Sequence, residues 1–387
     1  MKSNPKTPVD VVTLISASED FSTVVTEEYE LPVPRNDLEK IAEILRKEGL
    51  FCTGPTSADV YNWLNCRKTH AGGTKVFALF DRNVLLDVVT LARTALTGAA
   101  SPLPARARLG AAVIAYLLCC NILIDPGLAV REWPATALED LTLFHRADEA
   151  DAAHYVEVAL GRAEGFTSSQ LPPPKVKPTV ENIRGSVRGR DAHRLAVLKI
   201  AILELTPLEP ERKFHEFLNW TFNNYIFLPA ATKLAAHQFA SGNSKRLLRR
   251  ITNPDRQQAL ASINNATWDL LVAMHWAERV VEQLPKKEFW ILCSRDEALK
   301  ALAKDLHFSP EAGQTRESAL NATYVKLWGR SKGQRLSKRV FELMLDADNP
   351  SRWSNSPSFH KHIDTIAQEL EAEFLAWKPP SSGSICA

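Results

Sequence analysis

The chain lacks most of the motifs by which enzyme classes are recognised in a sequence. Its 387 residues contain no GxGxxG, GxxxxGKS/T or GxSxG motif, so neither a nucleotide cofactor nor serine-hydrolase chemistry is supported. The six cysteines form no CxxC pair, and the ten histidines are scattered without an HExxH motif. The ligand spacing of a zinc site is therefore missing.

Long hydrophobic runs are also scarce. The longest, residues 109–124, is shorter than a membrane span and is interrupted by Asn121, so it predicts a buried core helix over 105–124. The first ten residues hold no apolar signal core. Because the cysteine pattern fits a reducing compartment better than a disulfide framework, we expect a cytoplasmic protein without membrane contact.

The composition is that of a folded protein. Apolar residues make up 45% of the chain and charged residues 24%, and the net charge is only +2. The length allows one elaborated domain or two. We expect a mixed segment at 1–70, an α/β domain at 71–310 and a basic, helical extension at 311–387.

Two strand-like runs each end in an acid and lead directly into a helical pattern. The first is KVFALF, which is followed by Asp81 and Asn83; the second is FWILC, which is followed by Asp296. Ligands of open α/β sheets bind beyond the carboxyl ends of the strands. A carboxylate at two such ends predicts a site for a divalent metal ion.

Two further acids complete the candidate set. Asp269 lies in a long helical pattern, and Glu132 follows a Pro-Gly turn. Clustered carboxylates repel one another unless a cation offsets them, and hard oxygen ligands suit Mg²⁺ or Mn²⁺. Three other acids remain alternatives to Glu132: Asp125, Glu139 and Asp140.

The order of these acids resembles that of the PIN-domain nucleases. The segments that carry the likeness are FALFDRNVLL, DPGLAVREW, NNATWDLLVAMHW and WILCSRDEALKALA, which cover well under half of the chain. The resemblance implies a helix-rich α/β fold with a parallel sheet sandwiched by helices. Residues 160–255 would then be a large helical insertion, and Arg82 departs from the family pattern.

The resemblance also implies a function. The chain would be a hydrolase that cleaves phosphodiesters, RNA in preference to DNA, with a bound Mg²⁺ or Mn²⁺. Asp81, Asp269 and Asp296 would be the metal ligands, with Glu132 as a fourth acid and Asn83 as an orienting group. A regulatory protein partner is compatible with this interpretation, and the oligomeric state is left open.

Basic residues cluster near the two late acids. Lysine and arginine release counterions from a nucleic acid backbone, and interleaved aromatic rings can stack on bases. These clusters therefore predict contacts with nucleic acid, although a solvated helix face with local ion pairs explains each cluster equally well. The residues that we expect to bind RNA are Lys245, Arg246, Arg249, Arg250, Arg335 and Arg339.

A non-catalytic interpretation competes with the nuclease. Asp81 could cap the helix that follows it, and Asp296 lies in a capping-box pattern, Ser294-x-x-Glu297. The long helical patterns at 191–205, 211–240 and 256–284 would then present a surface to a protein or nucleic acid partner. A DNA-binding regulator with a helix–turn–helix at 242–256 is a weaker alternative.

Overall fold

The computed structural model describes residues 9–18, 21–54, 59–98, 103–183, 187, 189–307, 315–347 and 358–379. By its internal contacts the chain divides into two units, and the first is discontinuous in sequence. Unit 1 comprises residues 1–185 and 282–295; unit 2 comprises 186–281 and 296–387.

Unit 1 is built on a small mixed sheet. Its strands lie in the order β3 (Phe51–Cys52), β6 (Glu288–Cys293), β4 (Lys75–Phe80) and β5 (Leu123–Asp125). Strand β4 is parallel to both of its neighbours, and β3 is antiparallel to β6. A separate antiparallel hairpin pairs β1 (Val9–Ser18) with β2 (Phe21–Glu30).

Helices cover this sheet. The core of unit 1 is formed by the central strands and by α3 and α4, where residues such as Leu85, Val88 and Ile114 are fully buried. Apolar residues occupy both faces of β4 because helices pack around a parallel strand. The helices of unit 1 are α1 (Arg35–Lys47), α2 (Trp63–Ala71), α3 (Arg82–Thr97), α4 (Ala105–Cys119), α5 (Gly127–Arg131), α6 (Ala137–Asp148), α7 (Ala152–Ala159) and α8 (Val180–Ile183).

The described residues of unit 2 form helices and the loops that join them, with no strand. Unit 2 buries large aromatic side chains, among them Phe214, Phe217 and Trp276. Helix α12 begins in unit 2 and ends in unit 1. The remaining helices are α9 (Arg190–Leu205), α10 (Pro210–Asn223), α11 (Pro229–Phe239), α12 (Arg256–Lys286), α13 (Glu297–Leu306), α14 (Arg316–Trp328), α15 (Arg330–Ala347) and α16 (Ser358–Ala376).

The predicted class, a helix-rich α/β chain, is confirmed, and three details are corrected. The sheet is mixed rather than wholly parallel because β3 runs against β6. The helix predicted over 105–124 ends at Cys119, since Asn121 adopts a left-handed φ of 57° and the chain continues into β5. The single helix predicted over 211–240 is two helices, because Pro229 starts α11.

Candidate active site

Asp81 lies where the ends of β4 and β6 meet. Its backbone N–H donates to the carbonyl of Cys293 (3.0 Å), and its carboxylate Oδ1 accepts from the N–H of Arg82 (2.6 Å) as the N-cap of α3. Oδ2 accepts from the Ser294 hydroxyl (2.6 Å) and from the side-chain amide of Asn83. The residue is only 3% exposed. Hydrogen-bond donors that follow the ends of β4 and β6 fix the orientation of its carboxylate.

Ser294 is a site residue that the sequence analysis missed. The capping-box pattern suggests Ser294 as the N-cap of the next helix, but the structure assigns that role to Asp296. The Ser294 side chain is fully buried and donates to Asp81 instead. The contact joins residues 213 positions apart, which no local pattern reveals.

Glu132 is the second carboxylate of this site. It follows α5 directly and is partly buried. Burial, and after it repulsion by the Asp81 carboxylate, raises the pKa of Glu132 to about 7, while the Arg82 guanidinium acts in the opposite direction. Glu132 is therefore partly protonated near neutral pH.

The three alternatives to Glu132 have structural partners. Asp125 accepts from the N–H of Gly127 (2.8 Å) within a turn. Glu139 is paired with Arg93 (3.0 Å) on the surface. Asp140 is buried and accepts from both Arg82 (2.7 Å) and Arg93 (3.2 Å). Each of these three acids thus has a structural contact, whereas Glu132 has a raised pKa to which the Asp81 carboxylate contributes.

The Arg82 side chain fixes the segment that carries Glu132. Its guanidinium donates to the Ala129 carbonyl (3.2 Å), to the Asp140 carboxylate (2.7 Å) and to the Thr136 hydroxyl (3.4 Å). These partners lie on both sides of Glu132 in the chain. Arg82 therefore ties α5, the following turn and α6 to the end of β4.

Asn83 connects Asp81 to Arg295, which in turn pairs with the buried carboxylate of Asp87. Its side-chain oxygen accepts from the N–H of Arg295 (3.3 Å), whose guanidinium reaches the Asn83 carbonyl (3.4 Å) and Asp87 (3.1 Å). Burial raises the pKa of Asp87 to about 6, although Arg295 and Arg106 lower it. Both atoms of the Asn83 side-chain amide are thus hydrogen-bonded, the nitrogen to Asp81 and the oxygen to Arg295, as an orienting group requires.

The two late acids of the predicted set belong to unit 2. Asp269 is partly buried on α12. Asp296 caps α13, accepting from the N–H groups of Ala298 (2.7 Å) and Leu299 (3.2 Å), and it pairs with Arg249 (3.3 Å). Their convergence with Asp81 stays a prediction.

Most of the predicted RNA-binding residues have acidic partners within unit 2. Their positive charge is therefore offset locally, as expected for a solvated surface with ion pairs. Arg250 is exposed. The pairs are Lys245 with Glu297 (3.2 Å), Arg246 with Glu204 (2.8 Å), Arg249 with Asp296 (3.3 Å), Arg335 with Glu211 (2.9 Å) and Arg339 with Glu342 (3.6 Å).

The oxygen atoms at Asp81 and beside it are of the type that a hard cation binds. Among the described residues, no three His, Cys, Asp or Glu side chains are grouped so that they could hold a metal ion. Mg²⁺, however, is commonly bound through one or two carboxylates, with water and substrate phosphates as the other ligands. Asp81 and Glu132 supply two carboxylates, and the Ser294 hydroxyl supplies a neutral oxygen next to Asp81. A cation held here would use Glu132 in its deprotonated form.

Two observations bear on the whole chain. In the part that the structure describes, no helix is both long enough and apolar enough to span a membrane. Comparison with protein-family models, with curated proteins and with solved structures gives no match for this chain. Its function is therefore inferred from its own residues.

Proposed function

We propose that the chain is a metal-dependent phosphodiesterase that cleaves RNA, built on a PIN-like sheet. One observation carries the proposal: the buried Asp81 carboxylate follows the central parallel strand β4 and is held by donors from the ends of β4 and β6, and its charge helps to raise the pKa of Glu132. A buried carboxylate at such an edge, with a second acid of raised pKa, is typical of catalytic sites rather than of surface charges.

The arrangement of strands supports the PIN-like part of the proposal. Three parallel strands lie in the order β6-β4-β5, and the first acid follows the middle one. The second acid follows β5 and a short helix, α5. This is the order of chain segments that the resemblance implies for the first half of the site.

The residues have separable roles in the proposed reaction. Ser294 and Asn83 donate to Asp81 and so fix the orientation of its carboxylate. Glu132, whose pKa is about 7, can release or take up a proton at neutral pH. A bound Mg²⁺ or Mn²⁺ would supply an activated water and would stabilise the leaving oxygen of the phosphodiester.

A non-catalytic interaction protein is the second candidate, and one observation favours it. Asp81 and Asp296 both accept hydrogen bonds from the first N–H groups of the helices that they precede, as helix caps do. In this alternative the acids are structural, and the helices of unit 2 bind a partner.

Nuclease assays distinguish the two candidates. Labelled single-stranded RNA and DNA are incubated with the full chain and Mg²⁺ or Mn²⁺, with EDTA as the metal-free control. We expect cleavage that Asp81→Asn and Glu132→Gln each reduce by at least about 100-fold, the range of a lost catalytic group. Glu139→Gln is the matched control, because Glu139 is an exposed, ion-paired neighbour. If no polymer is cleaved and no Mn²⁺ binding is detected by calorimetry, the interaction protein is the better description.

A further inference from the structure

Trp133 differs from every other aromatic side chain that the structure describes. It alone falls in the exposed class, with 56% of its surface open to solvent. Burying a large apolar side chain stabilises a fold, so an exposed indole gives up that stabilisation. The residue follows Glu132 directly, so an exposed indole is the next side chain after the second acid of the site.

The backbone that carries Trp133 is held from both sides. The Trp133 carbonyl accepts from the N–H of Thr136 (3.2 Å), which closes a tight turn. Arg82 donates to Ala129 before this residue and to the Thr136 hydroxyl after it. Because Arg82 is adjacent to Asp81, the turn is fixed relative to the end of β4, and the ring is presented on a rigid support.

We propose that Trp133 is a stacking platform for one base of single-stranded RNA, which positions the attached phosphodiester beside Asp81 and Glu132. This inference rests on the proposed function, which it deepens by naming the form of the substrate. A base in a duplex is already stacked on its neighbours, whereas a single strand offers its base faces to an aromatic ring.

A protein partner fits the surface less well. A stable protein interface needs about 800 Å² from each side, whereas the exposed aromatic surface here is a single ring. Leu138, five residues further along the chain, is only 36% exposed. An indole is close in size and shape to one base, and stacking of this kind is tolerant of sequence.

The test measures binding without cleavage. Both carboxylates are neutralised by Asp81→Asn and Glu132→Gln in the full chain, and EDTA is present, so that affinity is read independently of any nuclease activity. The probe is a fluorescein-labelled single-stranded RNA of twelve nucleotides, followed by fluorescence anisotropy. Trp133→Ala and Trp133→Phe are added to this background, and Leu138→Ala is the control for the loss of another exposed apolar side chain of unit 1.

We expect Trp133→Ala to weaken binding by between about 5-fold and 150-fold, the equivalent of one stacked base. Trp133→Phe should retain most of the affinity and Leu138→Ala all of it. With an abasic RNA of the same length, the parent (Asp81→Asn with Glu132→Gln) and the variant that also carries Trp133→Ala should bind equally. Circular dichroism of each variant verifies that it is folded.

Three outcomes would overturn the inference. One is equal binding of the parent and Trp133→Ala to the intact RNA; another is no preference of the parent for the intact RNA over the abasic one. The third is self-association that depends on Trp133 without RNA binding, which would identify the ring as a protein contact. Failure of the proposed function is seen in a different measurement: the wild-type chain then cleaves no RNA with Mn²⁺, whatever the anisotropy shows.

Discussion

The Ser294 hydroxyl donates a 2.6 Å hydrogen bond to the Asp81 carboxylate in the interior of unit 1. Removing it by Ser294→Ala leaves one carboxylate oxygen with fewer donors in a buried position. We expect a loss of about 1–3 kcal/mol in the free energy of unfolding, since hydrogen bonds to charged groups are the stronger ones. Urea denaturation gives the value.

A matched serine serves as the control for this substitution. The Ser262 hydroxyl donates to the Ala259 carbonyl (2.8 Å) within its own helix, so Ser262→Ala leaves no carboxylate short of a donor. Its effect should stay within about 0.5 kcal/mol. Equal losses in the two variants would show that the Ser294–Asp81 bond contributes nothing specific.

The pKa of Glu132 predicts a pH-dependent stability. In the folded chain the carboxyl keeps its proton up to about pH 7, whereas its ordinary pKa is 4.5. Unfolding between these values releases a proton, so the wild-type chain becomes less stable as the pH rises from 5 to 8. Glu132→Gln lacks this effect and should gain roughly 2–3 kcal/mol over the wild type across that range, since one pKa unit corresponds to about 1.4 kcal/mol.

Chemical denaturation at pH 5, 6, 7 and 8 measures this difference. Glu139→Gln, in which an exposed glutamate is replaced, should keep a constant offset from the wild type. A constant offset for Glu132→Gln as well would contradict the raised pKa. Mn²⁺ binding should also tighten as the pH rises past 7, because the cation competes with the Glu132 proton.

The ion pair of Arg82 with Asp140 should contribute far more to stability than the contact of the more exposed Arg93 with the same carboxylate. Asp140 is 1% exposed and Arg82 13%, so Arg82→Ala leaves a buried carboxylate with only Arg93 as an ionic partner. We expect a loss of about 2–4 kcal/mol, most of which Asp140→Asn in the same chain should restore. Arg93→Ala, at a 41% exposed side chain, should cost less than about 1 kcal/mol. No rescue by Asp140→Asn would mean that Arg82 acts through other contacts.

Gly110 permits the close approach of α3 and α4. A Cβ at this position would lie 2.8 Å from the carbonyl carbon of Asp87, and backbone cannot move aside as a flexible side chain does. Gly110→Ala should therefore destabilise unit 1 by about 1–3 kcal/mol, as overpacking does. Gly72→Ala is the control, because its Cβ would meet other atoms only at 3.5 Å. Thermal unfolding compares the two, and equal melting temperatures would refute the close packing.

Local pattern was enough to predict the elements that matter most for the site. The strands at β4 and β6 follow the predicted apolar runs, because a buried parallel strand needs apolar residues on both faces. Strand β5 was missed because Leu123–Asp125 continues the apolar run of α4. The signal against a longer helix was Asn121, a residue type that tolerates the left-handed conformation with which helices end.

The contacts of the site were less predictable than its elements. Asp81, Asn83 and Glu132 could be chosen from the ends of predicted elements. Ser294 could not, since its partner is set by which strands pair and not by its neighbours in sequence. Arg82 looked like a departure from a family pattern, whereas its side chain ties together three segments of unit 1.

The position of β6 has a consequence for how the chain is made. This strand lies between β3 and β4 but comes from residues 288–293, whereas the other three strands of the sheet precede residue 126. During synthesis at about 5–20 residues per second, β6 follows β4 only after roughly 10–40 s, and the edge of β4 stays unpaired for that time. An unpaired apolar strand edge of this kind attracts other chains. We therefore expect the nascent chain to be prone to aggregation at this edge until β6 has been synthesised.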